Sequence, residues 1–126
     1  WPDESDRIEL LRGALEIAAE TPALVDKAEI PAWVGRQLKL LPEGQASVVF
    51  HSIVWLYLSE QERTTVHDAI FEAGSRATSR SPLAWLRYEE SKDLVICELK
   101  LTLWPGGEER LLARGMHHLS PVTWLG

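Results

Sequence analysis

The chain has 126 residues, a net charge of −6, and 45% hydrophobic and 25% charged residues, a profile of one globular domain rather than a disordered chain. Its 13 basic residues are scattered, and with no basic run to neutralise several phosphates a nucleic-acid partner is disfavoured. One cysteine excludes an internal disulfide and a multi-cysteine zinc site, and no apolar stretch approaches the ~20 residues of a membrane span.

Trp1-Pro2-Asp3-Glu4-Ser5-Asp6 opens the chain without methionine and reads as a helix entrance, its acids placed against the positive end of the dipole. The expectation is a single domain over residues 1–126 that forms the C-terminal part of a longer chain. No signal peptide is visible, and the lone Cys97 fits a reducing cytoplasm. Ile8, Leu11, Leu15 and Ala18 then recur at helical spacing, with Leu10, Ala14 and Ile17 widening the stripe. Thr21-Pro22 stops this helix, because the residue before proline avoids the α region.

Ala23 to Lys27 reads as a short strand. A second helix starts near Pro31, proline being suited to a first turn, with Ile30, Val34, Leu38 and Leu41 as its stripe. Pro42-Glu43-Gly44-Gln45 closes it. Ser47 to Val54 is a continuous apolar run broken only by His51-Ser52, the pattern of a parallel strand covered on both faces. Ser59 and Glu62 form a capping box that opens a third helix, whose inward face is Val66, Ala69, Ile70, Ala73 and Ala77. Leu83 to Glu89 is a further buried strand. Cys97, Leu99, Leu101 and Leu103 alternate with Glu98, Lys100 and Thr102, so the leucine side is the dry one. Pro105-Gly106-Gly107 then turns the chain into a returning strand, Arg110 to Met116. The order α-β-α-β-α-β-β-β predicts an α/β fold of three layers, with a mixed sheet ending in an antiparallel hairpin.

Three stretches carry a resemblance. Val48-Val49-Phe50-His51-Ser52-Ile53-Val54-Trp55-Leu56-Tyr57-Leu58, Pro82 to Glu89 and Leu101 to Ala113 resemble a bacterial family of unknown function, domain of unknown function 2332. Trp1-Pro2-Asp3-Glu4 resembles a segment that lies well inside that family's chains. The element order resembles the second half of a class I methyltransferase-like Rossmann fold. The resemblance implies a glycine-containing cofactor loop upstream, which this chain lacks. Cofactors are therefore expected to be none in this chain, with S-adenosylmethionine conceivable for the full-length parent. It also implies that the strand at Ala23 stands apart from that at Val48 by two strands supplied from upstream. A sheet edge opened in this way favours self-association. Met116 to Trp124 matches the family's closing pattern only loosely, and no role passes to His117 or His118.

His51 and Ser52 stand near the carboxyl end of the central strand, the edge where open α/β sheets bind ligands. A histidine there suits proton transfer near neutral pH, so His51 and Ser52 are the catalytic candidates. Trp55, Tyr57, Arg87 and Glu89 are the substrate-binding candidates. The plainer alternative for His51 is a hydrogen bond to a neighbouring group at a strand end. The plainer one for Arg87 and Glu89 is an exposed strand terminus. His51, His67, His117 and His118 lack convergent metal spacing. Two function classes remain: the substrate side of a cofactor-dependent transferase, and a non-catalytic binding or oligomerisation module. Of the tryptophans, Trp33, Trp55 and Trp85 are expected in or near the core, and Trp104 and Trp124 near the surface.

Overall fold

A computed structural model describes residues 5–92, 95–117 and 121–126. The element order is α1 (Ser5–Glu20), α2 (Ile30–Gln37), β1 (Ser47–Ser52), a 3-10 turn (Trp55–Tyr57), α3 (Glu60–Ser75), β2 (Leu83–Glu90), β3 (Cys97–Trp104), β4 (Glu108–Gly115) and β5 (Val122–Trp124). The strands form one mixed sheet in the order β1-β2-β3-β4-β5. β1 and β2 are parallel, joined by the crossover helix α3, and the remaining pairs are antiparallel.

The helices begin where their punctuation dictates. Pro31 occupies the first turn of α2, where its missing N–H costs nothing. Ser59 caps α3, and its side chain and that of Glu62 satisfy each other's backbone N–H groups. Val34 of α2 and Leu38, the residue that follows the helix, pack with Val66, Ile70 and Ala73 of α3 over Leu83, Trp85 and Trp104 of the sheet, and this is the core. Gly74 of α3 lies directly on Trp104, leaving no room for a β-carbon: one built there would stand 2.5 Å from the indole ring. Gly106 and Gly107 both take positive φ in the β3–β4 turn, conformations that glycine adopts without penalty.

Several sequence expectations are corrected. Ala23 to Lys27 is not a strand: Leu24 and Val25 are almost fully exposed, and a lone extended segment has no ladder to satisfy its backbone. Among the described residues Ser47 to Ser52 is not interior but the sheet edge. Only its Ser47, Val49 and His51 side is partly covered, while Val48 is 61% and Phe50 62% exposed. Among the described residues two layers are seen rather than three, with α2 and α3 packed on one face. No described helix packs on the other, although Tyr88, Cys97 and Ala113 are buried there and the Tyr88 hydroxyl donates to the Met116 carbonyl.

In β3 the expected dry side holds at Cys97, which is fully buried, and fails at the other end of the strand. Thr102 and Trp104 are buried, whereas Leu103 is exposed, because α3 packs on the parity that carries Trp104. Trp104 is thus core, and Trp33 stands partly exposed. Only β1 and β2 run parallel, through a single crossover, so repeated Rossmann crossovers are not present among the described residues. α1 forms where its sequence predicts but buries no residue. No helix of the described residues is long and apolar enough to cross a membrane.

Candidate functional site

The register between the parallel strands sets His51 beside Arg87. Strand alternation then places Trp85, Arg87 and Glu89 on the same face as His51. At the end of β1 the chain bends sharply. Ile53 takes φ of 50°, a left-handed conformation that costs a β-branched residue about 1–3 kcal/mol. Its N–H still donates to the Tyr88 carbonyl, which holds the bend against β2. The bend directs the next two backbone N–H groups, Val54 and Trp55, at the Glu89 carboxylate, 3.0 and 3.2 Å away.

Glu89 accepts a third bond from His51 Nδ1 at 2.6 Å. The other ring nitrogen of His51, Nε2, accepts from the Trp85 indole N–H at 2.9 Å. An indole nitrogen can only donate, so these partners assign the imidazole its proton on Nδ1. Trp55 stacks on the imidazole with ring centroids 4.9 Å apart. Burial opposes ionisation of Glu89, but the bonds from His51 and from the Val54 and Trp55 amides outweigh it and hold the carboxyl below its ordinary range. Arg63 Nε donates to the Trp55 and Leu58 carbonyls and fixes the turn from the α3 side.

Arg87 lies over the Trp85 ring, 4.0 Å from its centroid, and pairs with Glu109. Beyond these groups is a pocket of about 250 Å³ at the carboxyl ends of β1 and β2, lined by Trp55, His67, Trp85, Arg87 and Glu89 and closed by Glu90, Glu98 and Lys100. Its charges are largely spent on each other. Glu98 takes Lys100 at 2.8 Å and Arg114 at 3.2 Å, and Glu90 takes His117 at 2.7 Å. Among the described residues no three His, Cys, Asp or Glu side chains converge as a metal site would require.

Of the six residues singled out from sequence, the structure gathers His51, Trp55, Arg87 and Glu89. It separates the other two. Ser52 pairs with Tyr88 in register and so lies on the opposite face, exposed, while Tyr57 is 76% exposed on the 3-10 turn. Sequence reasoning missed Trp85 as the partner of His51, and His67, Glu90, Glu98 and Lys100 as pocket walls. Trp85 shares the parity of Arg87 and Glu89, which was a usable signal. Lys100 became visible only through its register with Arg87 across the β2–β3 ladder. His118 lies outside the described residues.

Residues 1–124 match a family model whose description is an uncharacterized protein conserved in bacteria (DUF2332). No curated protein and no solved structure matches the chain.

Proposed function

The chain belongs to this family of uncharacterised bacterial proteins, and on that premise we propose that it is a non-catalytic binding and assembly module, working through a surface rather than a reaction centre. The observation that carries this reading is the apolar sheet face turned away from α2 and α3. Val48, Phe50, Leu103, Val122 and Trp124 are all exposed there, around the buried Tyr88, Cys97 and Ala113, and exposed apolar side chains gathered on one face mark an interaction surface. The polar cluster supports the same reading from the other side. Both nitrogens of His51 are engaged and Glu89 accepts three bonds, so the cluster braces the β1–β2 end and leaves no base free. A reducing, cytoplasmic setting suits the buried free thiol of Cys97.

Sedimentation of the wild-type chain is expected to depend on concentration. Replacing Leu103 and Trp124 by lysine should weaken that dependence with little change in the urea midpoint, since both side chains are exposed. A chain that sediments as a monomer at every concentration and leaves a hydrophobic fluorescent dye dark has no such surface, and the reading fails.

The pocket at the carboxyl ends of the one parallel pair favours a second reading, because open α/β sheets bind ligands at that edge. Here the domain is the substrate side of a methyltransferase-like, Rossmann-type enzyme completed by further chain, with S-adenosylmethionine as the cofactor of that longer protein. Trp55, Arg87 and Glu89 hold the substrate, without Tyr57, which stands away from the pocket. His51 moves the proton once a ligand displaces the Trp85 N–H, and Ser52, on the other face of the sheet, takes no part. Calorimetric titration of the longer protein with S-adenosylmethionine separates the readings: binding heat that His51→Ala alters favours the enzyme, and silence favours the module.

A further inference from the structure

We propose that the pocket lined by Trp85 and Arg87 takes a small organic acid with a flat apolar body, its carboxylate held by Arg87 and Thr102 once Glu109 releases the arginine. This names a ligand class and rests on the pocket of the second reading alone. It requires no S-adenosylmethionine, no reaction and no use of the apolar sheet face.

Two buried polar atoms carry the inference. Among the described residues, Arg87 Nη1 and the Thr102 hydroxyl are enclosed without a hydrogen-bond partner, a condition that folded proteins seldom tolerate without a reason. The ladder makes them neighbours. Thr102 pairs in register with Trp85 on one side and with Glu109 on the other, and cross-strand partners share a face of the sheet. The Arg87 guanidinium lies over the Trp85 ring and pairs with Glu109, so it spans the row in which Thr102 is the middle residue. Thr102 itself is only 1% exposed.

Chemistry names the complement. A guanidinium can only donate, and the hydroxyl beside it is free to donate too, so both call for an acceptor oxygen. A carboxylate supplies two, in the plane that the arginine fork matches. The other charges of the pocket are already committed: Glu98 to Lys100 and Arg114, Glu90 to His117, and Glu89 to three donors. Glu109 is the competitor. Its side chain is 46% exposed, and a carboxylate so wetted gives up an ion pair at small cost. Trp55 and His67 offer the ligand's body their rings, in a space of about 250 Å³ that suits one ring rather than a drug-sized molecule. β2 and β3 each have a neighbour on both sides, so this row lies away from the edge of the sheet at β1.

Calorimetric titration of the chain with benzoate is expected to give saturable heat. Benzamide, the same ring without the charge, should give none. Arg87→Lys keeps the charge and loses the fork, and should weaken benzoate about tenfold or more. Thr102→Val, which keeps the shape, should weaken it as well. Glu109→Gln should tighten it several-fold, because the competitor is gone, a gain that a merely structural pair would not produce. The urea midpoint of each variant verifies that it is folded. A wild type silent to benzoate overturns the site, as does benzamide binding as tightly as benzoate. Benzoate heat that Arg87→Lys leaves unchanged, or that Glu109→Gln weakens, overturns it too. Each of these failures leaves the sedimentation and S-adenosylmethionine results to be judged on their own.

Discussion

His51, Glu89 and Trp85 form a relay in which every polar atom is paired, Glu89 Oε1 twice, and the cost of breaking it is set by what is left unpaired. Glu89→Gln offers one acceptor oxygen where two are used and turns an NH2 group toward backbone donors. Hydrogen bonds to a charged group contribute about 1.5–3 kcal/mol, and stranding buried partners costs a similar amount. We expect Glu89→Gln to lower unfolding free energy by about 2 kcal/mol, read from urea denaturation, with the near-ultraviolet signal of Trp55 and Trp85 altered. A variant as stable as wild type would mean that the relay is decorative. Gly74 poses a sharper contest between two effects. Alanine would gain about 1 kcal/mol of helix propensity. Against this, its methyl would stand 2.5 Å from the Trp104 ring, and overpacking a core costs about 1–3 kcal/mol. Trp104 is buried and Pro105 follows it directly, so it has little freedom to yield, and Gly74→Ala should melt below wild type.

At the scale of elements, α1 and α3 are both 16-residue helices with opposite dependence on their surroundings. α3 is anchored by its cap and by Val66, Ile70 and Ala73. Ser59→Ala is expected to cost about 1 kcal/mol, and in a double-mutant cycle with Glu62→Ala the two losses should fall short of their sum, because each side chain serves the other's backbone. α1 buries nothing, and a free helix of its length is marginal in water. Leu15→Ala should therefore change the unfolding free energy from urea denaturation by less than about 0.5 kcal/mol, where Ile70→Ala costs about 2–5 kcal/mol; an equal cost at both positions would show that α1 is docked.

The same contrast explains what the sequence made legible. Pro31, the Ser59–Glu62 box and Pro105-Gly106-Gly107 act locally, so α2, α3 and the β3–β4 turn could be read in place. Which side of a strand is dry is decided by what packs on it. β3 offered leucines on one parity and Thr102 and Trp104 on the other, and the room above Gly74 settled the choice. β1 is apolar on both parities, which reads as interior, whereas among the described residues β2 alone pairs with it. His51 and Glu89 were recognisable individually, but their bond depends on a parallel register that joins residues 38 positions apart.

For the whole molecule, acid is the natural stress. Glu89, Glu98 and Glu62 all have carboxyls held below the ordinary value of 4.5. For Glu89, burial is outweighed by the His51 and amide bonds; for Glu98 the chief cause is Lys100, and for Glu62 the Ser59 cap. A carboxyl whose folded pKa is depressed binds its proton more readily in the unfolded chain, so its stabilising effect is complete above the ordinary value and fades as pH falls toward the folded one. The urea midpoint should thus be nearly level above about pH 5 and fall toward pH 3. Glu89→Gln should flatten part of that slope, and a slope identical in the variant would assign the acid sensitivity elsewhere. Cys97 lends the chain a clock of its own. The thiol is wholly enclosed, and burial, with the charge of Glu90 beside it, raises its pKa, so an alkylating reagent must wait for the β2–β3–β4 meander to part. Labelling rate against reagent concentration then times how often the sheet opens under native conditions, with no engineered probe.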